Sequence, residues 1–77
     1  MYDVTVYGRD GCPRCYFVAT KVKQLKNVHL TEIHDDNILK EMSTKYGTDE
    51  LPMSVVDGEF YDFARMRAWI DDRKREE

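Results

Sequence analysis

The sequence is poor in the residues that small domains use to hold themselves closed, with only two cysteines and two prolines among 77 residues. A chain of this length buries only about 60% of the surface its unfolded form exposes, and domains of this size often rely on several disulfides or a metal. Here one bridge at most is available, and Cys12 and Cys15 lie three positions apart. So short a bridge closes a very small loop and removes little entropy from the unfolded chain. The pair is a poor staple and needs a chemical explanation. The sequence also lacks a basic cluster: twelve Lys and Arg stand against fifteen Asp and Glu, for a net charge of −3. Phosphate binding needs concentrated cationic surface, so this balance argues against nucleic acid as a main partner. No apolar run approaches the ~20 residues of a membrane span, and no membrane partner is expected. The chain opens on a strand-like segment with no charged leader and apolar run, so no signal peptide is read and the expected location is cytoplasmic. In that compartment a Cys-x-x-Cys pair reads as redox or metal chemistry rather than as a framework.

What is present patterns as one domain over residues 1–77, without repeats or low-complexity linkers. Tyr2 to Tyr7 alternate and are rich in β-branched and aromatic side chains, which predicts a strand. Gly8-Arg9-Asp10-Gly11 reads as a loop. Pro13 suits the first position of a helix with Cys12 as its cap, a structural role for the proline. Cys15, Val18, Ala19, Val22 and Leu25 then recur at helical spacing, which predicts a helix to about Lys26. Val28 to Ile33 read as a second strand. Asp35-Asp36-Asn37 offer caps for a second helix with Ile38, Leu39, Met42 and Tyr46 as its buried stripe, ended by Gly47. Pro52 opens a third strand over Met53 to Val56, Asp57-Gly58 is a tight hairpin turn, and Glu59 to Tyr61 form a fourth strand. A last helix carries Phe63, Met66, Trp69 and Ile70 on one face, and its charged end from Asp71 reads as solvated and fraying. The order β-α-β-α-β-β-α predicts an α/β thioredoxin fold: a right-handed parallel crossover, an antiparallel hairpin, and a four-stranded mixed sheet with three helices.

Dithiol exchange needs one exposed, largely ionised sulfur and a second close enough to attack the mixed disulfide. Cys12 at a helix N-terminus meets unpaired N–H groups and the positive end of the helix dipole, both of which favour a thiolate. Arg9 and Arg14 are near in sequence and add to that field. A free cysteine titrates near ~8.5, and such settings bring it to roughly 3.5–7.5. Cys15, one turn further in and more buried, is placed to stay a thiol until it resolves the mixed disulfide. If the Leu51–Pro52 bond is cis, the Leu51 backbone is free beside the sulfurs, and an extended substrate can pair with it as an added strand.

The run Gly8-Arg9-Asp10-Gly11-Cys12-Pro13-Arg14-Cys15, directly after a strand, resembles the active-site segment of glutaredoxins. The likeness continues through Leu51-Pro52, Asp57-Gly58 and Tyr61-Asp62-Phe63-Ala64, and on to Ala68-Trp69-Ile70. The resemblance implies that Cys12 is the nucleophile, Cys15 the resolving thiol and Pro52 the family's cis-proline. It further implies that Arg9 meets a glutathione carboxylate and that Asp62 holds the γ-glutamyl end. Apart from the resemblance, Tyr7 and Tyr61 are read as flanking the active-site surface. No bound cofactor or metal is implied; glutathione enters as a cosubstrate, and the substrates are protein disulfides or glutathione mixed disulfides. The chain has Glu50-Leu51 where the family usually has Thr-Val, Arg14 where it has Tyr, and Phe60-Tyr61 where it has Gly-Gly. A related group within this likeness is the small redoxins that are recharged by thioredoxin reductase and donate electrons to ribonucleotide reductase. The expected state is a monomer.

Two other classes of function fit the pattern less well. Cys12, Cys15, His29 and His34 match a loose zinc-finger spacing. However, the cysteines open a predicted helix, and strand alternation sends the two histidines to opposite faces. A non-catalytic adaptor would have little use for both cysteines with a proline between them. Met42, Met53 and Met66 fall at core spacings, and both histidines read as exposed strand residues.

Overall fold

A computed structural model describes residues 1–77 throughout. The β-branched and aromatic segment Tyr2–Tyr7 forms β1 and is followed by α1 (Pro13–Lys23), β2 (Val28–Ile33) and α2 (Asp36–Tyr46). The chain then runs through β3 (Met53–Val56), β4 (Glu59–Tyr61) and α3 (Phe63–Glu76). The sheet order is β2-β1-β3-β4. β1 is parallel to β2 in the register Tyr2 to Val28 through Tyr7 to Ile33, and antiparallel to β3 from Val4–Val56 to Tyr7–Met53. β3 and β4 pair antiparallel across the Asp57-Gly58 turn. Both turn residues have positive φ, 48° and 86°, as a two-residue turn matched to strand twist requires. This is the thioredoxin fold expected above, a four-stranded mixed sheet with three helices.

Alternation along the strands sorts the two faces. Val4, Val6 and Val56 point to the side covered by α1 and α3, where they pack with Val18, Val22, Leu25, Met66, Trp69 and Ile70 into one buried cluster. Tyr2 closes the cluster edge-to-face on Trp69, with ring centroids 5.2 Å apart. On the opposite face α2 buries Leu39 fully and the rest of its stripe only by half, with Tyr46 stacked on Phe60 at 4.2 Å. Asp35 caps α2 by accepting from the N–H groups of Asn37 and Ile38, and Gly47 ends it in the left-handed region at φ 67°. No helix is long and apolar enough to cross a membrane.

One expectation needs correction. The first helix stops at Lys23 rather than near Lys26. The N–H groups of Gln24 and Leu25 turn back to the carbonyls of Lys21 and Val22, tightening the last turn, and Asn27 takes φ 59°. Leu25 still reaches the core from that turn. The charged tail is, as expected, the solvated end of α3, which runs through Glu76. It carries the pairs Arg73–Glu76 at 2.8 Å and Arg75–Asp72 at 2.7 Å. The hydrogen bond to Glu76 raises the Arg73 pKa further above its ordinary range.

Candidate active site

The site is built at the point where β1 hands over to α1. Cys12 is the N-cap of α1 and Pro13 its first residue, where a missing N–H costs nothing. In this position the Cys12 Sγ accepts from the Cys15 backbone N–H at 3.2 Å, the bond that a serine or aspartate cap would make with its oxygen. Cys15 lies one turn on with its Cα 5.3 Å from that of Cys12, and the two sulfurs are bonded to each other. Cys12 remains half-exposed, whereas Cys15 is 4% exposed.

Cys15 is held down by Gly8, the residue that follows β1. A Cβ at Gly8 would fall 2.8 Å from both the Cβ and the Sγ of Cys15, closer than real side chains approach. The Gly8 N–H donates to the Ile33 carbonyl at 3.0 Å, which continues the β1–β2 ladder. This glycine therefore exists for close approach. From sequence alone it reads as one loop residue among four. The signal that could have found it was a lone glycine ending a strand immediately ahead of the cysteine pair.

A groove of about 400 Å³ opens over the bridge; Cys12, Pro13 and Cys15 line it together with Arg9, Asp10 and His34. Glu32 also borders it and pairs with Lys23 at 3.2 Å. His34 Nδ1 lies 3.0 Å from Asp10 Oδ1, a contact between β1's loop and the end of β2 that sequence reasoning missed. His29 instead sits 3.6 Å from Asp3. Of the zinc spacing, Cys12, Cys15 and His34 share one groove while His29 lies apart beside Asp3, and no group of three or more His, Cys, Asp or Glu side chains is placed to hold a metal ion.

Of the remaining predicted site residues, Arg9 alone lines the groove over the bridge. It also lines a second one of about 440 Å³ with Leu51, Met53 and Leu39, and its guanidinium pairs with Asp36 at 3.4 Å. The Leu51–Pro52 bond is cis, Pro52 is buried, and Leu51 lies beyond the last β1–β3 pair. Arg14 turns away along α1 and rests over the Phe63 ring at 5.2 Å. Tyr61 is covered by Arg65 at 4.4 Å, which also donates to the Phe60 carbonyl at 3.1 Å. Asp62 caps α3 by accepting from the Arg65 N–H at 2.8 Å.

No protein-family model matches this chain, and no curated protein sequence does. Solved structures do. A thioredoxin-like protein, solved as a point mutant, superimposes with a TM-score of 0.70 at 23% identity, over 92% of this chain and 97% of its own. Glutaredoxin 1 from Francisella tularensis, complexed with cacodylate, gives 0.72 at 22% identity, over 97% and 99%. A malarial protein gives 0.55 at 16% identity, over 95% and 97%. At these identities the likeness establishes architecture: this chain is a thioredoxin-fold domain, built like a glutaredoxin and a thioredoxin-like protein, with a Cys-x-x-Cys bridge at the head of its first helix.

Proposed function

We propose that the chain is a thiol–disulfide oxidoreductase that reduces protein disulfides or glutathione mixed disulfides through Cys12 and Cys15. The observation that carries this reading is the asymmetry of the bridge, with an accessible sulfur at the helix cap and a buried one a turn behind. In the reduced protein the Cys12 thiolate attacks one sulfur of the target disulfide. That bond breaks, its electron pair leaves with the departing sulfur as a thiolate, and a Cys12–target mixed disulfide forms. Cys15 loses its proton and attacks Cys12 Sγ, which expels the second target sulfur and closes the Cys12–Cys15 bond. Two electrons pass to the target, and its two thiolates take up two protons.

The Cys15 N–H that faces Cys12 Sγ would stabilise the thiolate at the start and again when that sulfur is a leaving group. Leu51, outside the ladder, would align an extended target by backbone pairing. Arg9, Arg14, Tyr61 and Asp62 would border the bound substrate, and glutathione would act as cosubstrate with no resident cofactor. The setting we propose is the cytoplasm.

A second reading is favoured by one set of contacts. The groups that would hold glutathione are engaged within the chain: Asp62 with the Arg65 N–H, the Phe60 carbonyl with Arg65, and Arg9 with Asp36. Phe60 and Tyr61 also fill space that a Gly-Gly pair would leave open. Under this reading thioredoxin reductase supplies the electrons and ribonucleotide reductase is the leading target. Two recharging systems decide the matter when run side by side on the oxidised protein: glutathione with glutathione reductase and NADPH, and thioredoxin reductase with NADPH. Fast recharging by glutathione establishes the first reading. Recharging by thioredoxin reductase alone establishes the second, and failure of both removes the oxidoreductase assignment.

A further inference from the structure

The fold gathers cations that the sequence scatters. Along the seam between α1 and α3 lie Arg14, Phe17, Lys21, Phe63, Arg67 and Lys74, which border two grooves of about 270 and 220 Å³ that share Phe17 and Arg67. The track begins at Pro13, next to the accessible sulfur. Phe17 and Phe63 meet edge-to-face with centroids 6.4 Å apart and form its floor. Arg14 stands 5.2 Å from the Phe63 ring, Lys21 5.7 Å from Phe17, and Arg67 5.7 and 5.8 Å from the two rings.

Two features set this surface apart. The chain carries a net charge of −3, yet among the residues lining both grooves the one carboxylate is Asp71. Arg9, Lys23, Arg65, Arg73 and Arg75 are each paired with an acid; of the seven Lys and Arg that make no salt bridge, four (Arg14, Lys21, Arg67 and Lys74) lie together on this seam, and Lys26, Lys40 and Lys45 lie elsewhere. The rings hold Arg14, Lys21 and Arg67 in place while leaving their charge uncompensated. At 1.5 Å per helical residue, the span from Phe63 to Lys74 is roughly 16 Å. That length accommodates about five residues of extended chain.

We propose that this seam docks an acidic, extended segment of the protein substrate and delivers an adjacent disulfide to Cys12. The inference rests on the oxidoreductase reading for what the segment delivers, but the docking is measured by binding alone. The probe is a fluorescein-labelled peptide of five glutamates, titrated with the full oxidised chain at low and at 300 mM salt and read by fluorescence anisotropy. The expected result is binding that weakens at least tenfold with salt, at least tenfold in Arg67→Glu/Lys74→Glu, and several-fold in the milder Lys21→Gln/Lys74→Gln. Circular dichroism of each variant establishes that it is folded. Three results each overturn the proposal: equal binding of a five-glutamine peptide, unchanged binding by both folded variants, or equally tight salt-sensitive binding of an oligothymidylate of matched charge. Turnover of a small uncharged disulfide by the native chain tests the oxidoreductase reading separately, so failure of one is distinguishable from failure of the other.

Discussion

Gly8→Ala is the sharpest test of how the buried sulfur is held. The added methyl would sit 2.8 Å from the Cβ and Sγ of Cys15. Neither obstacle is the free end of a flexible side chain, because one is fixed to the α1 backbone and the other is in the bridge. The clash must be relieved by shifting β1 against α1, and overpacking of this kind costs about 1–3 kcal/mol. An alanine also restricts the unfolded chain, which returns about 0.4–1 kcal/mol. The packing cost wins, leaving a net loss of about 2 kcal/mol at the upper end of that range. For a domain of this size each kcal/mol is worth roughly 4–8 °C in Tm, so the expected drop is about 8–16 °C in a circular dichroism melt of the oxidised protein. After reduction, Cys15 should also be alkylated by iodoacetamide faster than in the native chain, because the same shift lifts it from its cover. A drop below ~3 °C with unchanged alkylation would refute the reasoning. Gly11→Ala is the contrast: nothing lies within 4 Å of its Cβ position, but its φ is 77°. It should lose about 1 kcal/mol through the backbone alone and leave Cys15 alkylation unchanged.

Cys12→Ser should abolish exchange with every disulfide, whereas Cys15→Ser should stop reduction of protein disulfides and spare glutathione-only exchange; full protein-disulfide turnover by Cys15→Ser would sink the assignment of roles. Asp62→Ala should cost about 1 kcal/mol through loss of the α3 cap, and Asp62→Asn should restore most of it in the same melt. Ser54→Ala should leave stability unchanged or raise it, because the Ser54 hydroxyl is buried with no hydrogen-bond partner. An unmet buried hydroxyl costs about 1–3 kcal/mol, so a Tm several degrees lower in Ser54→Ala would show that this group has a partner in solution.

Much of the fold was legible because local chemistry and tertiary packing agree. Pro13 after Cys12, Asp35 before α2 and Gly47 after it mark helix ends by the hydrogen bonds and φ values those positions need, and the structure puts them there. Asp57-Gly58 marks the hairpin for the same reason. The end of α1 was not legible. Leu25 continues the apolar spacing of Val18 and Val22, and a tightened turn buries it as well as another helical residue would. Periodicity reports which side chains reach the core, not the backbone path that takes them there. Contacts between distant segments were equally out of reach. Asp10 meets His34 across 24 positions, and Arg14 shares a groove with Arg67 only because α3 lies beside α1.

The placement of the cysteine pair was the most legible part, and the structure explains why. A capping side chain accepts from an N–H two or three residues on, and here the Cys12 sulfur takes the one three residues on. When the residue at that third position is also cysteine, the bond from the Cys15 N–H to Cys12 Sγ brings both sulfurs together at the head of the helix. The helix then separates their environments: the cap residue lies at its mouth, and the residue one turn in faces the sheet. Gly8 completes the asymmetry by leaving room for Cys15 and for nothing larger. One capping interaction therefore accompanies both the short distance and the burial difference on which the proposed two-step exchange relies. The surroundings carry no comparable constraint. A substrate surface can be rebuilt from whatever side chains line α1 and α3 without disturbing the cap, which is why Arg14, Phe63 and Arg67 had to be read from the fold.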